Sequence, residues 1–217
     1  MIFLFDTVIF DLDGTLLDTL PDLHAATNYA LSKSGFPSRT LDEVRRFVGN
    51  GILNLIKQAV PEGTDEADTM VVFECFKTYY GEHSNDMTKA YEGIYELVER
   101  LKADKIKLGV VSNKAQFAVS AIMKHYFGDS FGIFYGEREG VARKPCPDGV
   151  FDAIKALGGK SVLYVGDSDV DYKTAQNAGL DYVMVTWGFR DEKELRAIGA
   201  KVFAYNTEDL YRIIKGE

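Results

Sequence analysis

Acidic residues with a spacing suited to catalysis follow the first apolar run of the chain. Asp11 and Asp13 come directly after Thr7–Phe10, and side chains two residues apart share a face in an extended segment. Two carboxylates held together can divide the work, one ionised as a nucleophile and the other protonated as a general acid. Asp167 would add a third carboxylate. Such oxygen ligands predict a site for a hard cation, Mg²⁺.

Groups able to bind phosphate oxygens accompany these acids. Lys144 offsets the negative charge and can bind a phosphate oxygen as a point charge. The Ser112 hydroxyl and the backbone N–H groups around Gly14 and Thr15 can bind other phosphate oxygens. Together these groups predict a phosphoryl-transfer site, where positioning and charge neutralisation supply most of the catalysis.

The elements that must position these residues are apolar runs of strand length alternating with amphipathic segments of helix length. The runs are continuously apolar, which predicts strands covered on both faces. The predicted strands are Thr7–Phe10, Ile106–Val111, Ile133–Tyr135, Val162–Val165, Tyr182–Val185 and Lys201–Phe203. The predicted helices after them are Ile94–Ala103, Ala115–Tyr126, Gly149–Leu157, Asp169–Asn177, Glu192–Ile198 and Thr207–Ile214. This order predicts an α/β fold with a doubly wound parallel sheet.

One block between Leu20 and Glu82 interrupts this order and contains no convincing strand. Its predicted helices are Pro21–Lys33, Leu41–Phe47, Ile52–Ala59 and Asp65–Tyr80. We therefore expect an α/β core domain of residues 1–15 and 86–217, with a small helical domain of residues 16–85 inserted after the first strand. In open α/β sheets ligands bind beyond the carboxyl ends of the strands. The polar segments all follow predicted strands, so they should converge on one edge.

Composition excludes several classes of protein. The chain has 217 residues and a net charge of −8, which argues against broad binding of nucleic acid. No apolar stretch reaches the roughly 18 residues that span a bilayer, and Met1–Phe10 lacks the features of a signal peptide and is interpreted as a strand. Cys75 and Cys146 form no CxxC motif, which disfavours a disulfide framework and favours the cytoplasm. The oligomeric state, monomer or dimer, stays open.

Four segments occur in the order typical of one superfamily. Asp11-Leu12-Asp13-Gly14-Thr15, Ser112, Lys144 and Gly166-Asp167-Ser168-Asp169-Val170-Asp171 resemble the motifs of the haloacid dehalogenase phosphohydrolases. Three further segments look like those of phosphoglycolate phosphatases and their close relatives: residues 18–23, residues 45–51 and Tyr91-Glu92-Gly93. The resemblance implies a Rossmann-like core, a helical cap that closes over the active site, and hydrolysis of a small phosphorylated metabolite.

The resemblance also implies roles for the acidic residues. Asp11 would attack phosphorus and become an aspartyl phosphate, while Asp13 would protonate the leaving alcohol and then activate water. The Asp11 side chain, the Asp13 backbone carbonyl and Asp167 would bind Mg²⁺. Asp171 would orient Lys144 or a metal-bound water.

The same resemblance assigns the substrate-binding residues. Ser112 and Asn113 would contact the phosphoryl group, with Lys144 across from them. The loop of residues 49–51, including Asn50 and Gly51, would belong to the cap and meet the substrate.

Structural alternatives accompany several of these assignments. Ser112 could be the N-cap of the helix predicted from Ala115, and Lys114 competes with Lys144 for the role of the phosphate-binding lysine. Asp169 could cap the helix that follows it, and Asp171 could merely lie in that helix's first turn. The loop of residues 49–51 could be only a connection between helices. Trp187 and the three histidines are interpreted as structural.

Other functions also remain open on the same scaffold. A phosphomutase such as β-phosphoglucomutase would carry a histidine where this chain has Leu23, one residue before His24. A pyrophosphatase or a nucleotidase would use the same motifs. A haloacid dehalogenase proper is disfavoured because it lacks the second acid that Asp13 supplies. A non-catalytic binding protein would predict a damaged motif, and none is found.

Overall fold

The computed structural model of the protein describes residues 4–217. By contacts the chain divides into two units, one of residues 4–17 and 90–217 and the other of residues 18–89. The elements are β1 (Thr7–Phe10), β2 (Leu17–Asp18), α1 (Leu20–Lys33), α2 (Leu41–Phe47), α3 (Ile52–Ala59), α4 (Glu66–His83), β3 (Lys89–Ala90), α5 (Ile94–Ala103), β4 (Lys107–Ala115), α6 (Gln116–Phe127), β5 (Ile133–Glu137), α7 (Asp148–Leu157), β6 (Val162–Gly166), α8 (Asp169–Ala178), β7 (Asp181–Val185), α9 (Glu192–Ala197), β8 (Phe203–Ala204) and α10 (Thr207–Lys215).

A six-stranded sheet organises the larger unit, with strand order β5-β4-β1-β6-β7-β8. The paired strands are all parallel, and Phe10 of β1 lies beside Val110 of β4 and Val165 of β6. Three central strands therefore end at the same level of one sheet edge. The predicted α/β class with a parallel sheet is confirmed.

Burial on both faces explains why the first strand is apolar throughout. Val8 and Phe10 belong to the hydrophobic cluster on one face of the sheet, whereas Ile9 belongs to the cluster on the other face. All three side chains are fully buried. An alternating pattern would have exposed one face to water, so this strand can only be central.

The smaller unit is helical from α1 to α4. A reciprocal capping box of Thr40 and Glu43 begins α2, and the Asp65 side chain accepts the Asp68 N–H to begin α4. The buried Asp22 carboxylate of α1 accepts hydrogen bonds from the N–H of Thr88 at 2.8 Å and from its hydroxyl at 2.7 Å. This contact fastens the end of the unit to its first helix.

Some predicted boundaries are wrong. The last strand is Phe203–Ala204 instead of Lys201–Phe203, because the pairing with β7 places the N–H of Thr186 on the carbonyl of Ala204. The strand interpreted at Met1–Phe10 begins only at Thr7, and its residues 1–3 lie outside the described residues. The short strands β2 and β3 were not predicted, since two residues carry no periodicity.

The second predicted strand, Ile106–Val111, extends further than its apolar run. Strand β4 continues through Ser112 to Ala115, with a register shift against β5 after Val111. The polar end of this strand therefore stays attached to the sheet. Along residues 4–217, no helix combines the length and the apolar character needed to cross a membrane.

Gly93 illustrates the close packing around the sheet and gives a stability prediction. It has a φ of +75°, and a Cβ there would lie 2.2 Å from the Thr207 hydroxyl oxygen. We expect Gly93→Ala to lower the free energy of unfolding by about 2 kcal/mol or more, since the left-handed conformation alone costs about 1–2 kcal/mol. Thermal unfolding followed by circular dichroism measures the effect. Gly81→Ala in α4 is the control, because a Cβ there meets nothing within 4 Å; equal melting temperatures for both variants would contradict the prediction.

Candidate active site

Three carboxylates meet where the central strands end. Asp11 follows β1, and Asp167 and Asp171 follow β6. One carboxylate oxygen from each lies within 4.8 Å of the others, and all three residues are buried. The parallel register produces this meeting, because the N–H of Asp11 still donates to the Val165 carbonyl at 2.8 Å.

Lys144 is the cation that this acidic cluster encloses. Its Nζ lies 2.6 Å from Oδ1 of Asp11 and 2.7 Å from Oδ1 of Asp171, and it donates to the Tyr164 hydroxyl at 3.1 Å. The Asn113 amide holds the lysine backbone, since its Oδ1 accepts the Lys144 N–H at 2.9 Å and its Nδ2 donates to the Lys144 carbonyl at 3.0 Å. Asn113 therefore positions Lys144. The sequence predicted only a contact of Asn113 with the phosphoryl group.

Asp171 connects the cluster to the start of α8. Its Oδ1 accepts from Lys144 and from the Tyr164 hydroxyl, the latter at 2.9 Å. Its Oδ2 accepts from the Ser168 N–H and hydroxyl and from the Asp167 N–H. Five hydrogen bonds thus fix a side chain in the first turn of the helix.

The N-cap of α8 is Ser168, so the alternative that Asp169 caps this helix is wrong. Asp169 is the first helical residue, and its carboxylate pairs with Lys173 at 3.2 Å and with Arg190 at 3.5 Å. A serine followed by an acid three residues later satisfies the helix N–H groups more completely, because the two side chains cap reciprocally.

Asp13 has a different partner. The Lys114 Nζ lies 3.0 Å from Oδ1 of Asp13, and the two side chains are only 6% and 15% exposed. Lys114 and Lys144 thus bind different carboxylates. The Ser112 hydroxyl accepts the Lys114 N–H at 3.1 Å within β4, and helix α6 begins after Ala115, so the alternative that Ser112 caps this helix is wrong.

Asp167 is held from two sides. The Thr15 hydroxyl donates to its Oδ1 at 3.0 Å, and the Phe189 N–H donates to its Oδ2 at 2.7 Å. Gly14 has a φ of +94°, and a Cβ there would lie 2.4 Å from Oδ2 of Asp167. Only glycine permits both the turn after Asp13 and this close approach.

Burial perturbs the acid–base behaviour of the cluster. Burial, reinforced by the charge of Asp171, raises the pKa of Asp167 to about 7, although the Phe189 and Thr15 hydrogen bonds oppose the shift. Burial and the charge of Asp171 likewise raise the pKa of Asp11 well above its usual range. These carboxyl groups therefore lack sufficient compensating positive charge.

The charges around Lys144 act in the opposite sense. Burial opposes its ammonium form, but the carboxylates of Asp11 and Asp171 outweigh burial and raise the pKa of Lys144 well above its usual range. For Asp171, burial is outweighed by the Lys144 charge and by hydrogen bonds, so its pKa is lowered. Lys144 and Asp171 thus form a permanent ion pair next to Asp11.

Asn50 and Gly51 lie in the helical unit, where their loop connects α2 to α3. Gly51 precedes α3 with a φ of +83°, and Asn50 is exposed. Their contact with substrate, and the catalytic and metal-binding roles expected for the other site residues, stay predictions.

Sequence reasoning missed two contributors to this site. Tyr164 reads as one more apolar position of a buried strand, yet its hydroxyl contacts both Lys144 and Asp171. Phe189 contributes only a backbone N–H, for which no residue type is diagnostic. Trp187, interpreted as packing, also donates its indole N–H to the Thr15 carbonyl at 3.0 Å.

Comparison with known proteins agrees with this geometry. Residues 8–185 match the family model of the haloacid dehalogenase-like hydrolases. A phosphoglycolate phosphatase from Cereibacter sphaeroides is 36% identical over 188 residues, covering 84% of this chain and 86% of that protein. A phosphoglycolate phosphatase from Pseudomonas syringae pv. tomato is 31% identical, covering 96% of this chain and 78% of that protein.

A solved structure shows the same fold. The chain from Lactobacillus delbrueckii subsp. bulgaricus superposes with a TM-score of 0.93 and 34% sequence identity, covering 98% of this chain and 99% of that one. The family predicted from the four motifs is therefore confirmed. With its parallel sheet, its acidic cluster around Lys144 and these relatives, the chain belongs to the haloacid dehalogenase-like hydrolases.

Proposed function

We propose that the protein is a Mg²⁺-dependent phosphatase of small phosphorylated metabolites that acts through an aspartyl phosphate. The observation that carries this proposal is the buried Asp11 carboxylate, with the Lys144 ammonium 2.6 Å from its Oδ1 and two further carboxylates beside it. A nucleophile placed next to a fixed positive charge suits attack on an anionic phosphoryl group.

The residues of the site fit a divalent cation. When Asp11, Asp167 and Asp171 are ionised, their three negative charges meet one ammonium of Lys144, which leaves two negative charges in a buried cluster. Burial, together with the charge of Asp171, raises the pKa of Asp167 to about 7, so its ionised form gains from a further positive charge. Carboxylate oxygens are also the donors that Mg²⁺ prefers.

We assign the cation to the side chains of Asp11 and Asp167 and to the backbone carbonyl of Asp13. Asp171 serves Lys144 instead, since its two oxygens already accept five hydrogen bonds, whereas Asp167 accepts one on each oxygen from Thr15 and Phe189. When bound, the cation would neutralise charge on the phosphoryl oxygens. Lys144 and the Ser112 hydroxyl supply the remaining contacts to these oxygens. The N–H groups of Gly14 and Thr15, which the sequence also predicted as donors, instead donate to the carbonyls of Leu17 and Leu12.

The reaction then proceeds in two displacements. A carboxylate oxygen of Asp11 forms a bond to phosphorus as the bond from phosphorus to the ester oxygen breaks, and Asp13 gives its proton to that leaving oxygen. In the second step water attacks phosphorus, Asp13 takes a proton from the water, and the Asp11–phosphorus bond breaks to release inorganic phosphate. Lys114 positions the Asp13 carboxylate in both steps, because it is the cation bound to it.

The substrate class follows the relatives, which are phosphoglycolate phosphatases at 31–36% identity. We propose 2-phosphoglycolate as the first substrate to test. A phosphomutase is disfavoured by the first helix: Leu23 is buried, and His24 is engaged with the Arg39 carbonyl and the Asn28 amide. The position at which the mutase pattern carries a histidine is therefore a leucine here, and the neighbouring His24 is already hydrogen-bonded within the helical unit.

The helical unit and the cell compartment belong to the same proposal. We assign residues 18–89, close to the predicted 16–85, the role of a cap that selects the leaving group, and the α/β unit the role of the catalytic core. Cys75 and Cys146 are both free thiols, which suits a reducing cytoplasm.

The nucleophile assignment has a direct test. Asp11→Asn should lower phosphate release by about a thousandfold or more, because an amide is a poor nucleophile. Phosphate release is measured with and without Mg²⁺ on 2-phosphoglycolate, sugar phosphates, nucleoside monophosphates, pyrophosphate and p-nitrophenyl phosphate. Asp6→Asn, just before the other end of β1, is the matched control. Full activity in Asp11→Asn would refute the mechanism.

The role of Lys114 predicts a dependence on the leaving group. Lys114→Met should lower kcat on 2-phosphoglycolate by about 100-fold, because the alkoxide that leaves this substrate must be protonated by a well-placed acid. General acid catalysis contributes about 10²–10⁴-fold. The loss on p-nitrophenyl phosphate should be much smaller, since nitrophenolate leaves without a proton. Lys173→Met, at an exposed pair, is the control. Equal losses on both substrates would show that Lys114 does not act through Asp13.

Asp167 predicts a pH dependence of stability in the metal-free protein. Its folded pKa of about 7 lies above the usual value of 3.8, so its contribution to stability is fully present below pH 3.8 and is lost as the pH rises through 7. Raising the pH from 5 to 8 should therefore lower the melting temperature of the wild type more than that of Asp167→Asn. Mg²⁺ should restore the wild type at pH 8 and leave the variant almost unchanged. The prediction would be contradicted if the melting temperatures of the two proteins fell in parallel with pH, or if Mg²⁺ raised both equally.

A further inference from the structure

The segment after β7 surrounds Asp167, although it carries none of the four motifs. We call residues 186–190 the β7 loop. Within it the Phe189 N–H donates to Oδ2 of Asp167 at 2.7 Å, and the Trp187 indole N–H donates to the Thr15 carbonyl at 3.0 Å. The Thr15 hydroxyl donates in turn to Oδ1 of Asp167 at 3.0 Å. The loop and Thr15 therefore hold both carboxylate oxygens.

Backbone packing around Asp167 leaves no room for a side chain at two glycines. A Cβ on Gly188 would lie 2.3 Å from Cβ of Asp167 and 2.4 Å from the Gly14 carbonyl oxygen. A Cβ on Gly14 would in turn clash with Oδ2 of Asp167. Two glycines thus enclose one carboxylate, and the loop backbone lies directly against it.

Both ends of the contact are anchored. Trp187 packs against the hydrophobic cluster on one face of the sheet, and Arg190 lies 3.5 Å from Oδ1 of Asp169 at the start of α8. A partly buried indole N–H needs an acceptor, and the one that Trp187 uses is the carbonyl of Thr15, whose hydroxyl holds Asp167. The position of the ring is therefore coupled to the residue that orients this carboxylate.

We propose that Trp187, Gly188 and Phe189 form a positioning element for the metal site, which fixes the Asp167 carboxylate and responds to occupancy by the cation. Each oxygen of Asp167 accepts one hydrogen bond from this arrangement and keeps a lone pair for a cation. Hydrogen bonds to a ligating carboxylate set its orientation, and their loss weakens metal binding by about 10- to 100-fold. This inference rests on the proposed function, because it requires Asp167 to bind Mg²⁺.

Trp187→Phe tests the element by removing one hydrogen bond and keeping an aromatic ring. Mg²⁺ binding to the substrate-free protein is measured by isothermal titration calorimetry. We expect a dissociation constant about 10-fold higher than in the wild type. Tyr182→Phe is the matched control. Tyr182 lies near the start of β7, the strand that precedes the β7 loop, and the substitution removes a hydroxyl that accepts the Lys201 N–H at 3.1 Å. It should bind Mg²⁺ like the wild type.

A second measurement uses the wild type alone, in case the variant does not fold. Trp187 is the one tryptophan of the chain, so intrinsic fluorescence reports the β7 loop directly. We expect the emission to change during a Mg²⁺ titration, with the midpoint found by calorimetry. Constant emission while calorimetry records binding would overturn the coupling.

The outcomes separate this inference from the proposed function. Wild-type protein that binds no Mg²⁺ would remove the cofactor and with it the proposed phosphatase. Equal Mg²⁺ affinity in Trp187→Phe and Tyr182→Phe would overturn the positioning element and leave the phosphatase intact. A 10-fold loss in Trp187→Phe alone, with a matching fluorescence midpoint in the wild type, would support both.

Discussion

The excess of negative charge at the end of the central strands is the constraint that the rest of the core serves. Three buried carboxylates face one ammonium, an arrangement that costs free energy unless each charge is paired or hydrogen-bonded. Asp171 meets this requirement inside the protein, with five hydrogen bonds. Asp11, which shares Lys144 with Asp171, and Asp167, which accepts two hydrogen bonds, are compensated less completely, and burial raises the pKa of both. These two less compensated groups are the ones assigned to the cation.

The sheet makes this concentration of charge possible because its strands end in register. Val8, Ile9 and Phe10 are fully buried, so β1 cannot shift relative to its neighbours without exposing apolar surface. The backbone beyond the strands is equally constrained at Gly14 and Gly188, where any side chain would overlap Asp167 or its surroundings. Stability of the core and geometry of the site therefore depend on the same residues.

The sequence predicted those parts that depend on residue type and spacing. It missed contacts made by backbone atoms and by a polar atom within an apolar strand. Continuous apolar runs predicted the parallel strands, and acids and a lysine at known spacings predicted the family. Tyr164 was invisible because a tyrosine in an apolar strand looks like core, and the Phe189 N–H because every residue but proline has one. Strand β8 was misplaced because its pairing with β7, and not its composition, sets its boundaries.

The two lysines of the site show how one cluster can keep two carboxylates in different roles. Lys144 is buried between Asp11 and Asp171, whereas Lys114 contacts Asp13 from the end of β4. A nucleophile must stay ionised and fixed, and a general acid and base must exchange protons with substrate and water. The Asp11 and Asp13 side chains are similarly exposed, at 10% and 15%, so their different lysine partners distinguish them. Separate lysines therefore let the protein fix Asp11 firmly without fixing Asp13 in the same network.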